Sequence, residues 1–299
     1  MLKLIISRVL QGIVVLLVVS VLTFVMLAAA GGDALSALQA DARVSKESLE
    51  RQRYFYGLDQ PLAVRYGRWL AGVVRGDMGK SMSSGEAVAG VLGRNLPRTL
   101  ALAAAAFLLA GVVALALGSV AARRPRGLFD KLCGALIILA SSTPRIVLAL
   151  VGLAFAVRTS VFTIGGESEG AASSLMSLLV PAFVLAVPLI AILLAQVRDG
   201  LAAALREEFV QVARSKGLSE RVVTLRHALR AALNPLITIS GYSFGGLVSG
   251  SVIVESVFGR EGLGRLSVQA LASRDVPLLM GVVLVTSTAV LAEIGRAHV

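Results

Sequence analysis

Residues 99–122 read TLALAAAAFLLAGVVALALGSVAA. The run carries no charge, and its only polar side chains are the hydroxyls of Thr99 and Ser119. A bilayer core is crossed by about 20 apolar residues in a helix. A helix on the surface of a soluble domain keeps one polar face, and this one has none. Similar runs lie on both sides of it. They cover Val9–Ala30, Leu132–Val157, Leu178–Val197, Pro235–Val254 and a shorter stretch from Pro277. The expected fold is all-α: a polytopic membrane protein of about six transmembrane helices. Val9–Ala30 is too long for the apolar region of a signal peptide and reads as a retained helix.

Charge beside the runs predicts their direction. Lys3 and Arg8 precede the first, and Arg123, Arg124, Arg126 and Lys131 follow the second. Basic residues collect on cytoplasmic loops. The N-terminus, residues 1–8, is therefore expected inside. A polar stretch at 31–98 is then outside, despite its mixture of Asp33, Asp41, Glu47, Glu50, Arg51 and Arg53, because loops this long cross regardless of charge. Within it, Ser48–Tyr56 and Leu62–Val74 show helical character, punctuated by turns at Gly57, at Asp59-Gln60-Pro61 and at Gly76-Asp77. Pro97 is expected just before the second helix, where a helix start tolerates proline. A loop with Glu167 and Glu169 and a loop at 255–276 fall outside. The core spans 99–292, and its stretch 198–234 is expected as a cytoplasmic loop. Segment six holds only about 16 apolar residues before Glu293, short of a full crossing. Residues 293–299 read as a non-native, adapter-derived tail.

The composition agrees with a lipid-embedded chain. Of 299 residues, 56% are hydrophobic and 16% charged, against about 25% charged in soluble domains. The net charge of +11 is that of basic inside loops. No aromatic-interleaved basic platform suggests nucleic acid. The single cysteine, Cys133, cannot close an internal disulfide and reads as a small buried hydrophobe.

Few residues suggest chemistry. Of the two histidines, His298 is in the tail, and His227 lies at helical spacing from Val223 and Arg230, as a packing or partner residue would. There is no G-x-x-x-x-G-K-[ST] loop to cradle nucleotide phosphates. No Asp, Glu or His interrupts segments two, four or five before Glu255, which weighs against a gradient-driven secondary transporter or channel. Arg145, next to Pro144 in segment three, either snorkels to an interface or serves the pathway. Segment five is rich in small residues that allow close helix approach. Arg145 with Ser243, Gly246 and Ser249 forms the candidate pathway set.

The most organised polar stretch is 207–221, EEFVQVARSKGLSER. It predicts a helix over Leu205–Lys216, ended by Gly217 in the left-handed conformation. Ser219 is expected to N-cap a second short helix through Leu229. Such a hairpin is either an ordinary amphipathic loop or a docking element for a soluble partner.

This stretch resembles the cytoplasmic coupling motif of the dipeptide/oligopeptide/nickel group of ABC importer permeases. Ala213-Arg214-Ser215-Lys216-Gly217-Leu218-Ser219-Glu220-Arg221, His227-Ala228-Leu229-Arg230 and Asn234-Pro235 follow that pattern. Of the general acidic-Ala-Ala form only Ala213 and Gly217 match. Gly57-Leu58-Asp59-Gln60-Pro61-Leu62 and Gly76-Asp77-Met78-Gly79-Lys80-Ser81 resemble the group's first outside loop. Leu96-Pro97-Arg98-Thr99-Leu100, Ser142-Thr143-Pro144, Val257–Leu266 and Arg274-Asp275-Val276-Pro277 resemble further landmarks in the same order. Arg145 departs from the pattern, which usually has an apolar or aromatic residue there.

The resemblance implies a type I ABC importer permease fold and the translocation subunit of an ATP-driven importer for peptides or related solutes. It implies a bacterial or archaeal cytoplasmic membrane, a second permease subunit, two ABC ATPase subunits and an extracytoplasmic solute-binding protein. No cofactor is expected in this chain, because ATP and Mg would be held by the ATPases, and no metal site is expected. Ala213, Lys216, Gly217, Leu218, Ser219, Glu220 and Arg221 would form the ATPase-coupling loop. Gly57, Leu58, Asp59, Gln60, Pro61, Gly76, Asp77, Gly79 and Ser81 would face the binding protein.

Overall fold

The structure is a computed structural model that describes residues 2–29, 46–159 and 171–296. Asp33, Asp41, Glu167, Glu169 and His298 lie outside the described residues. Among the described residues twelve α-helices follow one another: α1 (Leu2–Ala29), α2 (Lys46–Tyr56), α3 (Leu62–Val74), α4 (Val88–Arg123), α5 (Leu128–Ser142), α6 (Arg145–Arg158), α7 (Ala171–Ala204), α8 (Glu208–Ser215), α9 (Glu220–Val222), α10 (Leu229–Phe258), α11 (Leu263–Ala272) and α12 (Val276–Arg296). A π-helical turn, Val223–Ala228, joins α9 to α10. Among the described residues, three helices are long and apolar enough to cross a membrane, or up to four if α5 and α6 count as one broken span. The 30-residue α10 and the shorter apolar α12 complete the six predicted segments.

The chain divides into two compact units. The first is residues 1–99 with 261–295, and the second is residues 100–260 with 296–299. In the first, α1 leaves its apolar side chains uncovered: only 11% of its spanning window is buried. Ile6, Val9, Leu10, Ile13 and Val14 are all exposed, as a lipid-facing helix requires. Toward its end α1 meets α3: the Ser20 and Tyr66 hydroxyls lie 2.9 Å apart, and the Phe24 and Tyr66 rings pack at 5.5 Å. A second cluster gathers Val88, Val91 and Leu92 against Leu263, Leu278 and Val282.

In the second unit α7 is the central helix. Over half of its spanning window, 56%, is buried, because α5, α6 and α10 all pack on it. Small residues let the backbones close up. A Cβ at Gly118 would sit 2.7 Å from Val197 Cγ1. Ala106, Ala110 and Ala114, one turn apart on α4, are fully buried in the same core.

Four boundaries differ from those expected. The second segment does not begin at Thr99: α4 starts at Val88 and carries Pro97 inside it. Proline costs the helix one backbone bond, and burial of Val88, Val91 and Leu92 outweighs that loss. Segment three is two helices, bent by 106° at Thr143-Pro144. The residue before a proline is driven to extended backbone, and Thr143 sits at φ −87°, ψ 123°. The expected helix from Leu205 begins at Glu208 instead, after a turn that ends α7 at Ala204. The stretch 198–234 is mostly helical, since α9, the π turn and α10 run on without a break into segment five. Pro235 therefore lies within a helix rather than starting one.

Candidate docking and pathway sites

The helix–glycine–helix element is built as a clasp. Val210 and Ala213 of α8 are buried with Ala122, Leu201, Val223, Ala228 and Ala232, which pins α8 to the ends of α4, α7 and α10. Gly217 has φ +76°, and no atom lies within 4 Å of where a Cβ would be. The backbone conformation, not crowding, explains this glycine. Across the turn, Arg214 donates from Nε and Nη2 to the two carboxylate oxygens of Glu220, at 2.8 and 3.3 Å. That fork-on-carboxylate bond raises the Arg214 pKa and holds the Glu220 carboxyl below the usual glutamate range. Ser219 stands at the helix start with extended backbone, but its hydroxyl makes no capping bond. Its carbonyl accepts from Val223 N at 3.0 Å instead.

The predicted coupling residues divide accordingly. Ala213 is an anchor, whereas Lys216, Gly217, Leu218, Ser219, Glu220 and Arg221 are exposed. Around them Phe209, Val212, Leu218, Val222 and Leu225 leave apolar surface uncovered. Exposed apolar patches rimmed by polar residues mark interaction sites.

In the first unit, α2 ends in a Schellman motif. Leu58 N donates to Arg53 O at 3.0 Å and Gly57 N to Tyr54 O at 3.1 Å. Gly57 has φ +63°, and a Cβ there would meet Arg68 Nη1 at 2.8 Å. Arg68 also donates to Gln60 Oε1 at 2.7 Å, and Pro61 leads into α3. The end of α3 repeats the motif, with Asp77 N donating to Gly72 O and Gly76 N to Val73 O, both at 2.9 Å. Asp77 Oδ1 then accepts from Gly79 N at 2.8 Å, and Lys80 bridges antiparallel to Ala87 to close a compact loop.

A buried carboxylate anchors that loop. Asp275 Oδ2 accepts from Ser81 Oγ at 2.6 Å, from Ser83 N at 2.9 Å and from Ser83 Oγ at 2.8 Å. Its Oδ1 accepts from Leu278 N at 3.2 Å, capping α12. Tyr56 donates to Ser81 O at 3.2 Å, and burial, with the Asp275 charge second, raises the Tyr56 pKa. Ser81 and Gly57 are thus interior, while Asp59, Pro61, Gly76, Asp77 and Gly79 are exposed and Leu58 and Gln60 half-buried. Ser83 and Asp275 were not among the expected site residues. The available signal was an aspartate directly before a Val-Pro helix start, the pattern of an N-cap with early proline.

At the broken span Pro144 caps α6, and Arg145 is its exposed first residue. The Arg145 guanidinium reaches α10 at Gly250 with Nη1 nearest: its Cζ and Nε are 3.1 and 3.8 Å from where a Gly250 Cβ would be. Ser243 Oγ donates back to Ile239 O at 2.7 Å, so that hydroxyl is held by its own helix. Gly246 and Ser249 are exposed on α10 beside Tyr242. The structure thus brings Arg145 onto the same helix as the other three pathway candidates.

These features have relatives. Residues 114–294 match the family described as binding-protein-dependent transport system inner membrane component. Residues 1–103 match the N-terminal membrane component of the same systems. The oligopeptide transport system permease protein AppB of Bacillus subtilis is 33% identical over 299 residues, 98% of this chain and 94% of that protein. A Brucella abortus protein, named provisionally as a peptide transport system permease, is 36% identical over 288 residues, 95% of this chain and 91% of that one. With the multi-pass helical fold and a family match over most of its length, the chain belongs to the inner membrane components of binding-protein-dependent transport systems.

Proposed function

We propose that this permease moves peptides, together with a second permease subunit, two ATPase subunits that hold ATP and Mg, and an extracytoplasmic solute-binding protein. The observation that carries the reading is the clasp at 208–222. It is an exposed apolar surface outside the spanning helices, yet Val210 and Ala213 bolt it to the ends of three of them. A push on the clasp is therefore transmitted to α4, α7 and α10 as rigid bodies, which is what coupling ATP hydrolysis to alternating access needs. Peptide cargo is supported by the names of the relatives. The clasp would face the cytoplasm, in keeping with Arg123, which follows the Ala122 packed against it and whose charge acts on Glu220, and with Arg124 and Arg126 next along the chain. The loop at 76–87 would then face the binding protein.

The test is co-purification of the ATPase after detergent extraction, with Gly217→Asp as the control. A side chain at 217 meets no neighbour, and Asp is among the residues that tolerate the left-handed conformation Gly217 holds, so the variant strains this turn but leaves the core untouched. Retention of the ATPase by the native chain and its loss from an inserted variant are expected. A folded native chain that holds no ATPase would refute the docking role.

A further inference from the structure

Arg145 lies at bilayer depth. Along α7, Arg198 sits beside Asp130 (3.7 Å) near one end, and the Ser177 carbonyl accepts from Arg260 at 3.2 Å near the other. At 1.5 Å per residue these marks are about 32 Å apart, close to the thickness of the hydrocarbon core. α5 climbs from Asp130 to Ser142, about 18 Å, before the chain breaks at Arg145. Measured down α10 from Arg260, the contact at Gly250 lies about 15 Å in. Both ladders put the guanidinium well inside the membrane, nearer the Arg260 edge.

A charge there is costly unless it has a partner or a wet cavity. Among the described residues no carboxylate lies within ion-pair distance of Arg145. On α6 its exposed neighbours Ile146, Val147 and Leu150 are aliphatic, but the helix it touches is not. The exposed stripe of α10 beside Gly250 is Tyr242, Gly246 and Ser249, small or hydroxyl-bearing, whereas the exposed residues of α1 from Ile13 to Met26 are all Ile, Val, Leu or Met. Gly250 has no side chain, so the guanidinium reaches the backbone of α10 by its Nη1 end while Arg145 stays exposed.

We propose that Arg145 receives the C-terminal carboxylate of the peptide in transit. A guanidinium matches a carboxylate in a two-bond fork. The C-terminal carboxylate is the one acidic group that every unmodified peptide carries whatever its sequence, so a single fixed cation can serve a mixed cargo. Gly250 is the positioning residue, because a methyl group there displaces the guanidinium. The inference rests on the peptide reading above.

The assay is import into proteoliposomes that hold the complete transporter, with tri-alanine and tri-alanine amide each supplied on saturating binding protein. The wild type should import the acid at least about tenfold better than the amide, the scale of a hydrogen bond to a charged group. In Arg145→Gln that ratio should fall to near one through loss of the acid, with Arg145→Lys restoring part of it and Gly250→Ala lowering it. An unchanged ratio in Arg145→Gln overturns the proposal. So does a variant complex that no longer assembles, which would make Arg145 a contact to a partner subunit. A wild type that imports neither peptide sinks the peptide reading itself, and this inference with it.

Discussion

Replacing Asp275 with alanine should free the loop at 77–87 from α12. Four donors point at this carboxylate: the Ser81 hydroxyl, the Ser83 amide and hydroxyl, and the Leu278 amide. Bonds to a charged acceptor contribute about 1.5–3 kcal/mol each, and neighbouring bonds are not additive. Breaking a buried charged network by removing one partner costs about 3–5 kcal/mol. Asp275→Asn keeps the volume and one acceptor oxygen. It turns an amide toward the Leu278 N–H or the Ser83 N–H, neither of which can rotate away, so one donor is left facing a donor at about 1–3 kcal/mol. The order of damage is therefore alanine over asparagine over native. Lys80 is exposed within the loop and gives trypsin a site there. When cleavage follows the open population, a local loss of about 3 kcal/mol raises the rate by about two orders of magnitude. The assay is tryptic cleavage at Lys80 in nanodiscs. Equal rates for the native chain and Asp275→Ala would refute the claim that this carboxylate holds the loop.

Three further outcomes follow from the packing and charge. Gly118→Ala should destabilise the second unit by about 1–3 kcal/mol, the range for overpacking, because its Cβ would sit 2.7 Å from Val197 Cγ1 and 3.3 Å from Arg198 N; a thermal midpoint equal to that of the native protein would contradict this. The Glu220 pKa is lowered by its bond to Arg214, so the clasp gains from this carboxylate at neutral pH. That gain is complete above the usual glutamate range and is lost progressively as pH falls from there through the lowered value; hydrogen exchange of residues 216–222 against pH should rise on that acid limb and not near neutrality. Gly57→Ala should loosen the end of α2, since φ +63° is unfavourable with a Cβ by about 1–2 kcal/mol and Arg68 occupies the space; unchanged amide exchange at Leu58 would count against it.

The parts legible in the sequence depend on neighbours along the chain. Charge-free runs such as 99–122 announce spanning helices because a bilayer tolerates nothing else. α3 appears at the bounds its apolar spacing predicts, Leu62–Val74. Gly217 takes the left-handed conformation that a helix-ending glycine is chosen for. The order of short motifs along the chain identified the family. What only the tertiary structure decided rests on residues far apart in sequence. α4 runs through Pro97 because Val88 and Leu92 find Leu263 and Leu278. Asp275 holds a loop that lies 192 to 194 positions away, and neither partner's neighbours foretell that pairing. Arg145 reads as a lone charge beside a proline until the fold lays it on Gly250, where the absence of one methyl group on a distant helix decides where the charge can rest.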